Sequence, residues 1–181
     1  VLCTACADII FFGTALHDFQ NADLVLRNAR QMIKPEGTLA DLDGKKADRG
    51  TLFFIVIGGY DFQYHLMVGG GIEDQTMADL ADQIITNTTM AVSKLAGAGA
   101  KQFMVVNTLD LASIPAMIDG GFSKPAKVFQ DRRVAQMPVE MEALAQELQV
   151  EIQVFDLVAA VTKIRDDAGK YDLTNLNVPC F

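Results

Sequence analysis

The chain has 181 residues, of which 50% are hydrophobic and 21% charged, a balance that excludes intrinsic disorder and suits one folded domain over residues 1–181. A formal net charge of −8 makes nucleic acid and anionic lipid surfaces poor partners. The longest apolar runs, residues 9–12 and 52–57, are strand-sized, whereas a membrane-spanning helix needs about 20 apolar residues. We therefore expect no membrane insertion.

Features near the two ends of the chain indicate the compartment. The first residue is Val1 rather than Met, which indicates a processed chain or a piece of a longer one. Cys3 and Cys6 form a Cys-x-x-Cys pair with no second pair nearby, which disfavours zinc, and they precede a predicted strand rather than opening a helix, which disfavours a redox motif. The alternatives are free thiols and a disulfide from the amino end to Cys180, which we favour. With the glycosylation sequon at Asn87, these features predict a secreted glycoprotein.

The hydrophobic pattern predicts strands alternating with helices. Four runs are mostly apolar and rich in β-branched or aromatic side chains, as in buried parallel strands: residues 7–12, 52–57, 102–106 and 151–155. In the last of them apolar and polar residues alternate, as in a strand nearer the edge of a sheet. Helical spacing covers residues 24–33, 77–95, 134–148 and 157–164, while residues 69–71 and 120–125 are predicted loops. The expected fold is a three-layer α/β/α sandwich around a parallel sheet, flavodoxin-like in class.

In such sheets a ligand binds beyond the carboxyl ends of the strands, so the loops after the four strands should converge on one pocket. These loops comprise residues 13–18, residues 58–62, residues 107–110 and Asp156. The Gly58-Gly59 pair lets the backbone approach a ligand closely, or equally makes a tight turn. Tyr60, Phe62 and Tyr64 alternate with polar residues, which would aim the three rings to one side, as in an aromatic-lined pocket or equally at the edge of the core.

Few side chains in these loops suit catalysis. The serines lie outside the first two loops and the cysteines lie near the termini. These loops therefore offer little support for a serine or cysteine nucleophile activated by a histidine. His17 and His65 both follow strands and are candidates for a base or a ligand, or for hydrogen-bonded loop histidines. Together with Asp18 and Asp61, these histidines have side chains of the types that ligate metal ions. The four-residue spacing of Asp61 and His65 is weak support for such a site, and we predict no metal.

Four segments in order resemble the SGNH/GDSL family of lipases and esterases. Residues 12–21, Phe-Gly-Thr-Ala-Leu-His-Asp-Phe-Gln-Asn, resemble its first block, Phe-Gly-Asp-Ser-Leu-Ser-Asp-Thr-Gly-Asn. Residues 54–61 resemble the block ending Gly-x-Asn-Asp, residues 98–111 its Gly-Ala-Arg-x-Phe-x-Val-x-Asn-x-Pro-Asp-Leu segment, and residues 173–180 its Phe-Thr-Asn-Val-x-x-Pro-Cys. The resemblance implies the sandwich fold predicted above, in a shortened SGNH-hydrolase-like form.

The catalytic positions of the family are changed in this chain. Ala15 stands where the resemblance places the nucleophilic serine, and Tyr60 replaces the asparagine that donates to the oxyanion, although Asp61 is kept. The chain stops at Phe181, before the family's Asp-x-x-His block. Truncation would explain the absent histidine but not the internal changes, so the expectation is a pseudoenzyme.

The predicted function is binding of a small apolar or aromatic ligand, with lipid, aromatic metabolite and pigment all open, and no certain cofactor. An alanine and an aromatic ring make the former acyl site less polar and better suited to such a ligand. The predicted pocket residues are Ala15, His17, Tyr60, Asp61, Tyr64 and Asn107. The alternatives are an esterase with a rearranged active site and a storage or structural protein; the high apolar fraction also makes a homodimer reasonable.

Overall fold

The computed structural model describes residues 51–174 and Leu176. The predicted strand 7–12, the predicted helix 24–33, His17, Asp18 and the three cysteines lie outside the described residues. Within them the chain is a mixed α/β structure, as predicted, around a small parallel sheet.

Three parallel strands form the described sheet, in the order β1 (Leu52–Ile55), β2 (Gln102–Val106) and β3 (Glu151–Phe155). The predicted bounds of β2 and β3 are confirmed. β1 ends two residues earlier than predicted, because its ladder to β2 stops at the pair Ile55 and Val105 and a turn begins at Gly58. β3 pairs with β2 along one side and is an edge of the described sheet, as its alternating pattern predicted.

Five α-helices connect the described strands or follow them: α1 (Gly59–Met67), α2 (Asp74–Gly97), α3 (Pro115–Asp119), α4 (Ser123–Leu148) and α5 (Leu157–Asp166). Short 3₁₀ helices lie at Leu111–Ser113 and Ala168–Tyr171. Residues 69–71 form a loop, as predicted, whereas the predicted loop 120–125 is wrong at its end, because α4 begins at Ser123. Pro125 is tolerated there since first-turn amides need no intrahelical acceptor.

The core lies between one face of the sheet and the helices α2 and α4. Alternate strand residues point into it, and the register places Phe53 beside Phe103 and Ile55 beside Val105. The helices contribute a fully buried stripe that includes Met77, Ala81 and Val92 from α2 and Phe129, Met137 and Met141 from α4. The opposite sheet face is less enclosed, with Phe54 and Met104 half-buried and Phe155 exposed.

None of the helices in the described part of the chain combines the length and the apolar character that crossing a bilayer needs.

Candidate functional site

The carboxyl ends of the three strands meet at one edge of the sheet, as the parallel topology requires. β1 leads into the turn at Gly58, β2 into Asn107 and Thr108, and β3 into Asp156. The backbone N–H of Asn107 donates to the carbonyl of Phe155 at 3.1 Å, which joins the second and third of these ends directly. These three segments therefore lie at one edge of the sheet, whereas residues 13–18 lie outside the described residues and a shared pocket stays a prediction.

Asn107 links the ends of β2 and β3 through its side chain. Its Oδ1 accepts from the backbone N–H groups of Thr108 and Leu157 at 2.7 and 3.2 Å, and its Nδ2 donates to Asp156 Oδ1 at 3.0 Å. The Asp156 carboxylate also accepts from the N–H of Ala159 at 2.9 Å and so caps α5. Asn107, predicted to line a pocket, is 1% exposed, and these contacts give it a structural role at the site.

The turn between β1 and α1 requires glycine at position 58. Gly58 has φ 106° and ψ −13°, in the left-handed region that side chains disfavour, and it is the N-cap of α1. The N–H of Phe62 donates back to the Gly58 carbonyl at 3.2 Å. The predicted loop 58–62 is therefore mostly the first turn of a helix.

The prediction that three aromatic rings point to one side is wrong, because helical rather than extended geometry sets their directions. Phe62 is fully buried, and its ring centroid lies 5.1 Å from that of Phe129 on α4. Tyr60 and Tyr64, four residues apart, share the opposite face of α1 with their rings stacked at 6.4 Å. Met67 and Val68 continue this face at helical spacing.

These four residues, Tyr60, Tyr64, Met67 and Val68, form what we call the α1 strip. Their exposed fractions are 47%, 38%, 70% and 60%, although all four are large and mainly apolar. The strip starts at the strand ends, two residues after Gly58, and runs along α1. Contiguous exposed apolar surface of this kind marks interaction sites more often than scattered apolar residues do.

Arg133 is the site residue that the sequence reasoning missed. It lies on α4 and is fully buried, with Cζ 5.6 Å from the centroid of the Phe129 ring. Its guanidinium lies against Gly58, so closely that a Cβ at that position would collide with Nη1 and come within 2.9 Å of Cζ. Its sequence signal is its place, four residues after Phe129 and four before Met137, on the buried stripe of α4.

The Arg133 guanidinium is a charged group in an apolar setting. Burial lowers its pKa to about 10, and the Asp61 carboxylate opposes the shift. Since this pKa lies well above neutral pH, the group remains protonated there. Its Nε, Nη1 and Nη2 atoms have no hydrogen-bond partner among the described residues, so the influence of Asp61 is a charge effect without a hydrogen bond to the guanidinium.

His65 contributes to the loop that follows α1. Its Nε2 lies 2.8 Å from the carbonyl oxygen of Gly71, and a side chain at Gly70 would collide with the ring. Among the described residues no group of three His, Cys, Asp or Glu side chains is placed to hold a metal ion. His65 lies in the last turn of α1 rather than in a loop, and its ring is hydrogen-bonded to the loop that follows the helix.

The remaining predicted residues divide into two groups. Ala15 and His17 lie outside the described residues, as do Cys3, Cys6 and Cys180. Asn87 is half-buried within α2, where the hydroxyls of Thr88 and Thr89 donate to the carbonyls of Ile84 and Ile85 at 2.7 and 3.0 Å. Its glycosylation stays a prediction.

Comparison of the sequence with protein-family models and with curated proteins finds no match.

Proposed function

We propose that this chain is a secreted, catalytically inactive relative of the SGNH/GDSL esterases that binds a small apolar or aromatic ligand. In this proposal the described sheet is part of a shortened three-layer α/β/α sandwich, and the ligand lies at the carboxyl ends of the strands. The residue replacements at positions 15 and 60 support the loss of hydrolysis, since an alanine methyl group has no nucleophile to offer.

The observation that carries the binding proposal is the α1 strip. Two stacked, exposed tyrosine rings begin beside the converging strand ends, and Met67 and Val68 extend the apolar surface. Aromatic rings bury large areas and prefer offset stacking with another ring, which suits a planar apolar ligand. The methionine side chain adapts its shape to what it contacts.

The test is calorimetric titration of the full chain with 2-naphthamide, a neutral aromatic probe. We expect saturable binding to the wild-type chain and about fivefold weaker binding to Tyr60→Ala and Tyr64→Ala, from the loss of one ring contact. Tyr171→Ala is the matched control, because Tyr171 is also exposed, at 46%, but lies on a 3₁₀ helix remote in sequence from α1.

Two results would overturn this proposal. One is no saturable binding at probe concentrations up to about 1 mM, which corresponds to a binding free energy too small for a ligand site. The other is equal weakening by the control variant. Hydrolysis of short-chain aryl esters by the purified wild-type chain would instead favour an esterase with a rearranged active site.

A further inference from the structure

The guanidinium of Arg133 carries hydrogen-bond donors that no described residue accepts. It is fully buried, yet all three guanidinium nitrogens lack a hydrogen-bond partner among the described residues. Buried polar groups are almost always hydrogen-bonded, because an unsatisfied donor loses its water without compensation. A buried guanidinium in this state therefore points to an acceptor that a ligand supplies.

The guanidinium lies at the start of a helix, where a second set of donors is available. α1 spans nine residues and begins at Gly59, and its N-cap Gly58 has no side chain to cap the first turn. The first amides of a helix have no intrahelical acceptor and carry partial positive charge, which favours an anion. Arg133 lies directly against this N-cap.

We propose that Arg133 and the first-turn amides of α1 form a subsite for a carboxylate group, and that the ligand of the α1 strip is an aromatic or aliphatic carboxylic acid. A carboxylate presents two coplanar acceptors that match the planar donor fork of a guanidinium. This inference rests on the proposed function, since the apolar part of the acid would lie on Tyr60 and Tyr64.

Asp61 limits the charge that the subsite accepts. Its carboxylate lies in the first turn of α1 and acts on Arg133 by charge, so the local positive charge is only partly available. This balance suits one carboxylate better than a multiply charged phosphate, because each added negative charge meets Asp61 as a like charge. We therefore expect the subsite to bind a monocarboxylic acid more tightly than a phosphate.

Access to the subsite involves Leu109. Its Cδ1 atom lies where a Gly59 side chain would be, 2.7 Å from the position of a Cβ, and the residue is 36% exposed. Leu109 therefore packs against the backbone of Gly59, beside the proposed subsite. Truncation to Leu109→Ala should therefore strengthen carboxylate binding, by about threefold.

The experiment compares 2-naphthoate with its neutral isostere 2-naphthamide by calorimetric titration of the full chain. We expect the wild-type chain to bind 2-naphthoate at least tenfold more tightly, and Arg133→Met to lose that preference while still binding the amide. Arg132→Met is the matched control, because Arg132 is the next residue but is exposed and donates to Asp82 at 2.7 and 2.8 Å. It should retain the preference.

A second measurement uses only the wild-type chain, so it does not depend on whether Arg133→Met folds. The Nε–H resonance of Arg133 in the wild-type chain should shift on titration with 2-naphthoate and stay unchanged with 2-naphthamide. Equal affinities for the two probes, an unshifted resonance or loss of the preference in Arg132→Met would overturn the carboxylate subsite while leaving apolar binding intact. Failure of the wild-type chain to bind 2-naphthamide would instead overturn the proposed function itself.

Discussion

Replacing Gly58 by alanine tests the packing of the β1–α1 turn against Arg133. Two costs act together at this position. A non-glycine residue in the left-handed region costs about 1–2 kcal/mol, and inserting a methyl group into filled core space costs about 1–3 kcal/mol more. The new Cβ would collide with Arg133 Nη1 and lie 2.9 Å from Ile84 Cγ2. We expect Gly58→Ala to lower the free energy of unfolding by about 3 kcal/mol.

Substitutions at two other glycines measure the backbone cost without the steric cost, and the absence of both. Gly69 has φ 75°, and no atom lies within 4 Å of the place that an added Cβ would take, so Gly69→Ala should lose only the backbone cost of about 1 kcal/mol. Gly97 is the last residue of α2, has equally open space and no left-handed φ, so Gly97→Ala should be neutral or stabilising by up to about 1 kcal/mol.

The assay is urea unfolding followed by far-ultraviolet circular dichroism, with stabilities obtained by linear extrapolation. Combining Gly58→Ala with Arg133→Met should recover about 1–2 kcal/mol relative to additivity, because the collision with Nη1 disappears. If Gly58→Ala cost no more stability than Gly69→Ala, the guanidinium of Arg133 would not fill the space beside Gly58.

Two further substitutions test the strand ends and α4 by the same assay. Asn107→Ala should cost about 2–4 kcal/mol, because the buried N–H of Thr108 and the half-buried N–H of Leu157 lose their acceptor. Asn87→Ala on α2 should change stability by less than about 0.5 kcal/mol, and equal effects would contradict the linking role of Asn107. Pro138→Ala should stabilise the chain by about 1–3 kcal/mol, because Pro138 lies exposed inside α4 and removes a helix hydrogen bond; a loss of stability would show that the ring packs usefully against its surroundings.

Sequence patterns located most of the described elements because their signals are local. The runs that form β2 and β3 have the bounds predicted for them, since apolar and β-branched residues there are flanked by clear turn residues. The predicted helix over 77–95 lies within α2, which begins at the acidic Asp74 and ends at Gly97.

The hydrophobic pattern did not predict a helix where buried polar residues interrupt its apolar stripe. Only the second half of α4 was predicted, because Gln130 and Arg133 occupy buried positions of its first half, at 5% and 0% exposure. Hydrophobic periodicity assigns polar residues of this kind to the solvent-exposed side of a helix. For the same reason the sequence did not single out Arg133, the residue on which the proposed carboxylate subsite depends.

By itself the sequence determined the α/β class and the chain order of the three described strands with α2, α4 and α5, because these follow from hydrophobic period, whereas α1 and α3 were not predicted. Parallel topology predicted the edge of the sheet at which a site would lie. Tertiary structure decided what each side chain does there. Helical geometry separates Phe62 from Tyr60 and Tyr64, placing one ring in the core and two at the surface. Long-range packing brings Arg133 against Gly58 across 75 positions of sequence, a contact that no local pattern encodes.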